Sequence, residues 1–394
     1  MKEVRTDARN RYGYIDYCKA LCIVFVVLLH SGLESLQRIF IFVLPMFFAV
    51  SGFLYVPGKR TKKEYITERF RRLIIPFWLL TAMYAPIEAW RSTVLGYGTI
   101  NNLLTFPLYA LYGSSILAPM TRLTEAVSAY AYPYPMAFGK VFIASPSANH
   151  LWFLPALFIG SVLFCVLEEK TQKNAMAKIL SIGLLLTVAF LDSAVETLRQ
   201  LPWGIGTGSF CAACMLCGYW AKQARLVERR GGFVLTSAVI GFAFAVLAEC
   251  LGSTGGAFIS SYYGPYGILS VCLTFAGGLG GAWMVLCLMK KLDDTPWTFL
   301  KKILSLVGRA SMQIYQFHMI FLTLFGYLFL KISGITPQLD GWLLGFVPIK
   351  GAGTVFMIAE SLAIVCLITM IVFRKKHQNG INNQSTIAGC RRYE

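Results

Sequence analysis

Apolar stretches long enough to cross a bilayer, about 17–25 residues each, recur along the whole chain and limit its fold more than any other feature. Hydrocarbon offers no partner for backbone N–H and C=O groups, so only helices and closed barrels satisfy them there. A barrel would be written as short alternating strands, and no such pattern is visible. Composition agrees. The chain is 56% hydrophobic and 14% charged, against about 25% charged in soluble domains. The expected fold class is therefore all-α, a polytopic transmembrane bundle of about ten helices.

The spans are expected near residues 15–33, 38–57, 73–90, 151–168, 179–197, 202–221, 233–251, 264–289, 311–330 and 352–373. With a cytoplasmic N-terminus, 27 of the 36 Lys and Arg fall in inner segments and 7 in outer ones. The positive-inside rule then puts both termini in the cytoplasm. Because the charges lie between apolar spans rather than in one patch, the net charge of +17 does not signal nucleic acid as a partner. The first apolar run carries Asp16 and Lys19 and lacks a small-residue cleavage site, so it is expected to be retained rather than cleaved. Residues 1–376 read as a single transmembrane domain and 377–394 as a polar cytoplasmic tail. The long outer segment 91–150, rich in Tyr, Pro and Gly, is a candidate lid, with an apolar stretch at 103–118 as a re-entrant or interfacial element.

An ionisable group inside a span costs on the order of 3 kcal/mol on insertion scales, so each needs a reason. Helix 1 carries Asp16, Lys19 and His30. Lys19 and His30 are eleven residues apart, which places them within about 20° of one helix face and about 16 Å apart along the axis. Asp16 lies one turn below Lys19 on that face. The pair Asp16 and Lys19 reads either as an interfacial ion pair or as the inner end of a functional stripe. His30 suits proton transfer, since imidazole takes and returns a proton near neutral pH. His150 opens the fourth helix at the outer interface. His318 lies in the ninth, one turn after Tyr315 and, counted from the inner ends, about 9 Å shallower than His30. Glu360 sits mid-span in the tenth helix and must face protein. His377, in the basic tail, carries no specific expectation.

The inner loop 58–72 is strongly basic. Arg69, Arg71 and Arg72 stand where it enters the third span, placed to grip phosphate. Two apparent motifs carry less. Cys211, Cys214 and Cys217 are spaced like cluster ligands but lie in an apolar run without a fourth ligand nearby, so no metal is expected. The eleven cysteines read as free thiols acting as small hydrophobes rather than a disulfide framework. Gly277, Gly278, Gly280 and Gly281 do not follow a strand, and close helix packing explains Gly277 and Gly281 better than a nucleotide fingerprint.

Five segments together resemble the membrane-bound acyltransferase family 3, whose members O-acylate bacterial surface polysaccharides and related envelope molecules. They are YIDYCKALCIVFVVLLH at 14–30, PMFFAVSGFLY at 45–55, RFRRLIIPFW at 69–78, HLWFLPALF at 150–158 and GRASMQIYQFH at 308–318. The resemblance implies that His30 is the helix-1 histidine tied to catalysis. The basic residue eleven positions before it, often Arg in the family, is Lys19 here, which keeps the charge and loses the planar fork. The family's RxxR pattern falls on Arg69 and Arg72, and its Ser-Gly pair on Ser51 and Gly52. Some relatives carry a C-terminal esterase-like domain, and none is expected here.

The resulting expectation is a multi-pass enzyme of the bacterial inner membrane, surrounded by membrane lipid. It would use acyl-CoA, with acetyl-CoA as the default, as co-substrate and hold no permanent cofactor. Lys19, Arg69, Arg71 and Arg72 would bind the donor. His30 would act as base toward a hydroxyl of a carbohydrate or glycolipid, with His318 beside the chemistry and Asp16, Ser51, His150, Tyr315 and Glu360 in support. The alternative class is a transporter or flippase, for which paired broken helices in an inverted repeat would be the sign. None is visible.

Overall fold

The computed structural model describes residues 12–31, 41–94, 110–111, 113, 133–136, 139–142, 149–172, 174–194, 201–228, 232–250, 267–334 and 358–373. Ten helices lie among them: α1 (Gly13–His30), α2 (Val43–Phe53), α3 (Lys62–Val94), α4 (Phe153–Thr171) and α5 (Ala175–Ala194), then α6 (Ile205–Gln223), α7 (Gly232–Cys250), α8 (Ile268–Asp293), α9 (Thr298–Ile332) and α10 (Ile358–Phe373). Each overlaps one expected span. Four are long and apolar enough to cross a bilayer by themselves, α1, α4 with the turn before it, α5 and α8, and α2, α7 and α10 are shorter apolar helices. The protein is an α-helical membrane protein.

Three expectations need correction. Residues 62–72, read as loop, are the first three turns of α3, which runs 33 residues through Pro76 and Pro86. Basic residues are good helix formers, and Thr61 and Glu64 close a capping box in which each side chain bonds the other's backbone N–H, at 3.2 and 2.8 Å. Likewise α9 begins at Thr298 rather than near 311, because nothing in TFLKKILSLVGRA breaks a helix. Finally, the all-α expectation misses a hairpin within 91–150, Pro133–Met136 antiparallel to Gly139–Phe142. Most of the candidate lid 91–150 and the whole tail 377–394 lie outside the described residues.

Glycines set how the helices meet. A β-carbon on Gly52 would run into the backbone of Met215, and one on Gly218 into that of Ala49, so α2 and α6 cross at backbone contact. The glycine group of α8 serves two neighbours: Gly277 and Gly280 meet α7 at Ala248 and Gly241, whereas Gly278 and Gly281 meet Pro45 and Phe42 beside α2. Close packing is thus the role of Gly277 and Gly281. On α9, Gly308 lies against the backbone of Asp16, which fixes α9 beside α1. α4 is central, with 61% of its apolar stretch buried, and α5 is peripheral at 22%. Leu180 and Leu184 of α5 and Leu235 and Val239 of α7 are exposed, as lipid-facing side chains would be.

Candidate functional site

Three of the chain's four histidines converge where α1, α9 and the turn before α4 meet. His30 is the last residue of α1. His318 lies in α9, and His150 in the 3-10 turn Asn149–Trp152 that feeds α4. His30 Nδ1 stands 2.7 Å from His318 Nε2. That is a hydrogen-bond distance; two nitrogens ligating one tetrahedral ion would be about 3.3 Å apart. The His150 ring packs edge-on to both, at 6.3 Å from His30 and 5.1 Å from His318. His150 and His318 are buried, whereas His30 is half-buried.

Tyrosines brace this group. The Tyr315 hydroxyl donates to the carbonyl of His150, tying α9 to the turn before α4. Tyr84 of α3 donates to the Gln316 carbonyl at 2.9 Å and lays its ring against His150, centroids 5.2 Å apart. Phe153 closes one side, packing on Tyr315 and on Phe48 of α2. Five segments distant in sequence therefore share one aromatic–imidazole cluster.

The depth difference between His30 and His318 is smaller than expected, and the two rings are in contact. The expectation assumed that α9 starts at its apolar run. With Gly308 beside Asp16, His318 lies ten residues beyond that point and His30 fourteen. The offset is about 6 Å on ideal helices, within reach of two imidazole side chains.

Lower on α1, Asp16 and Lys19 form an ion pair at 3.7 Å, with Asp16 buried and Lys19 partly exposed. The ion pair is thus present. The stripe from it to His30 runs along α1 as its periodicity requires.

At the basic end, the three arginines expected to act together are separated. Arg72 is 72% exposed and holds Glu68 at 2.6 Å, with Arg60 on the same carboxylate. Arg71 is exposed. Arg69 alone is half-buried, its guanidinium 5.1 Å above the ring of the buried Tyr65. Nearby, the Tyr55 hydroxyl donates to the buried Glu168 carboxylate at 3.1 Å, Gln172 donates to both Glu168 and Tyr219, and Lys222 donates to the Tyr55 carbonyl. This network links the end of α2 to α4 and α6. Sequence reasoning missed it, because Glu168 reads as an ordinary charge flanking a span. Lys62 is bonded to Glu169 at 2.8 Å, and that bond raises its pKa. The Thr61 backbone N–H lowers that of Glu64.

The remaining expected residues lie elsewhere. The Ser51 hydroxyl donates to the Phe47 carbonyl in its own helix, at 3.0 Å, and its neighbour Gly52 makes the α2–α6 crossing. Glu360 is buried on α10, and its Oε1 has no hydrogen-bond partner among the described residues. No described contact joins it to the histidines. Tyr84 was missed because nothing in the apolar run around it marks it as polar.

Residues 12–371 fit the family model described as an acyltransferase domain. No curated protein is significantly similar to the chain.

Proposed function

As a member of the acyltransferase 3 family, the chain is an acyltransferase, and we propose that it moves an acyl group, acetyl by default, from acyl-CoA to a hydroxyl of an envelope carbohydrate or glycolipid. The observation that carries this reading is the imidazole pair, a half-buried His30 whose Nδ1 is held by the buried His318 at 2.7 Å. A base must present one ring nitrogen to its substrate while the rest of the ring is held still. His30 is the more exposed member of the pair.

The donor approaches from the basic end, which by charge faces the cytoplasm of a bacterial cell whose inner membrane holds the bundle. Its phosphates bind at Arg69, with Arg71, Arg72 and Lys19 adding positive potential at the entrance. From Arg69 to Tyr84, which touches the histidine cluster, is fifteen residues of α3, or about 22 Å, less the reach of the arginine side chain. The pantetheine arm bridges that length and brings the thioester to His30. The acceptor enters from the opposite end.

The chemistry balances within the site. His30 Nε2 takes the proton of the acceptor hydroxyl as its oxygen bonds to the thioester carbonyl carbon. The C–S bond then breaks, and the proton on Nε2 passes to the departing thiolate sulfur. The transient imidazolium lies at the C-terminal end of α1, whose last carbonyls carry partial negative charge. Glu360 lacks a place in this scheme.

The test is acyl transfer by purified protein in proteoliposomes with labelled acetyl-CoA and a mixed envelope-glycan pool, comparing wild type with His30→Ala. Label in glycan only with His30 present is the expected result. Donor neither bound nor turned over by wild type would favour transport of an envelope precursor instead. Transfer surviving the substitution would remove His30 from the chemistry.

A further inference from the structure

The hydrogen bonds around His318 dictate which nitrogen of His30 is able to act. His318 Nδ1 lies 2.8 Å from the carbonyl oxygen of Tyr315 and 3.1 Å from that of Ile314, the residues three and four before it in α9. Carbonyl oxygens only accept, so Nδ1 carries a proton. In a neutral imidazole the other nitrogen, Nε2, then offers only a lone pair. That lone pair faces His30 Nδ1 at 2.7 Å, so the proton between them belongs to His30 Nδ1. By the same rule His30 Nε2 is left with its lone pair, the form a general base requires.

Ring positions agree with an N–H···N bond rather than a face stack. The two rings are inclined by only 18° and their centroids are 4.9 Å apart. Each ring nitrogen lies about 1.2 Å from its ring centre, so a collinear N–H···N contact of this length puts the centres about 5.1 Å apart. The rings therefore lie edge to edge, near one plane, with lone pair aimed at N–H. The opposite arrangement, His30 protonated on Nε2, would set two lone pairs against each other at this distance.

From this geometry we propose that His318 is a positioning residue which fixes the Nδ1–H tautomer of His30, the chain Ile314/Tyr315 C=O···H–Nδ1 His318 Nε2···H–Nδ1 His30 leaving His30 Nε2 as the basic atom. The proposal rests on the acyl-transfer reading for its purpose but not for its geometry. His318 does here what a buried carboxylate does for the histidine of a serine-protease triad, where losing the correct tautomer costs about 10⁴-fold in turnover. It differs in bringing no charge into the membrane interior. Two further bonds hold the turn that orients it: Tyr315 is tied to the His150 carbonyl, and Tyr84 to that of Gln316.

Carbon-13 and nitrogen-15 solid-state NMR of histidine-labelled protein in proteoliposomes reads the tautomer directly. Because the chain has four histidines, subtracting the spectrum of His30→Gln isolates the signals of residue 30. Wild type should show His30 protonated on Nδ1. His318→Leu removes the acceptor and should shift His30 toward the Nε2–H form, lowering kcat at least 100-fold while both KM values stay within about twofold. His318→Gln, whose amide oxygen is able to accept from His30 Nδ1, should keep the tautomer and lose at most about tenfold in kcat. His30 protonated on Nε2 in wild type would overturn the proposal without any variant, so a poorly folded His318→Leu does not rescue it. An unchanged His30 tautomer in a well-folded His318→Leu would overturn it equally. A correct tautomer in a protein that transfers no acyl group would leave this geometry standing and remove the function proposed above.

Discussion

Arg69 and Arg72 show how two residues of one motif come to differ. They are three positions apart, yet Arg69 turns inward over Tyr65 while Arg72 is exposed and already holds Glu68. Exposed ion pairs contribute little, about 0–1 kcal/mol. In the donor route proposed above, the half-buried guanidinium of Arg69 is the stronger phosphate anchor. Arg69→Ala should therefore raise the donor KM more than tenfold and leave the acceptor KM within about twofold, whereas Arg72→Ala should raise the donor KM less than about threefold. Initial rates with each substrate varied would check both, and a larger effect at Arg72 would reverse the assignment. At this scale the sequence is informative where a residue's cost is visible. A histidine after a long apolar run declares itself, so His30 stands out, but its partner does not. The contact with His318 depends on where α9 begins and on a glycine without a side chain, Gly308, neither of which a hydropathy pattern records. Tyr84 and the network around Glu168 were hidden for the reason that each polar atom is matched only by tertiary contacts.

Among elements, α9 carries the most consequence, since its register on α1 brings His318 to His30. Gly308 sets that register by letting the two backbones touch. Gly308→Ala should force the helices apart, costing about 1–3 kcal/mol as overpacking does. It should also lower kcat by far more than any site-distant substitution of equal stability cost. Thermal unfolding and initial rates on the same preparation separate the two effects, and a destabilised but fully active variant would show that the register is not set there. The start of α3 makes a second prediction. The Thr61–Glu64 box holds its first turn, and the Thr61 backbone N–H keeps the pKa of Glu64 below its ordinary value. A carboxylate with a lowered folded pKa contributes stability above its ordinary pKa and loses it as pH falls through the folded one. Amide protection at the start of α3 should be full at neutral pH and fall on acidification below the ordinary carboxylate range. Thr61→Ala should lower that protection roughly fivefold even at neutral pH. Hydrogen exchange resolved to this turn measures both. Equal protection in the variant would mean that tertiary packing, not the cap, holds the turn. The positions of the helices were legible because apolar length is a strong signal, whereas their ends were not. A charged helix and a charged loop have similar composition, and only the capping residues tell them apart.

Over the whole molecule, the chemistry proposed depends on which end faces the cytoplasm, because it takes a nucleotide-bearing donor from one side of the membrane and an acceptor from the other. At the basic end Lys62 joins α3 to α4, Lys222 joins α6 to the end of α2 and Lys301 joins α9 to α8, while Lys290 pairs with Asp294 at the end of its own helix. Lys331, at the far end of α9, is exposed on the other side of the histidine cluster, thirteen residues past His318, about 20 Å along the helix. An amine reagent that does not cross membranes should therefore modify Lys62, Lys290 and Lys301 in inside-out vesicles only and Lys331 in right-side-out vesicles only, as read by mass spectrometry of the native chain. The reverse pattern would put Arg69 outside the cell, where acyl-CoA is not available, and would end the donor route while leaving the histidine pair intact. The expected pattern would make the two ends unequal in the way the reaction requires: a charged entrance for a phosphate-bearing donor, and about 20 Å of bundle between that entrance and the atom that removes the acceptor's proton.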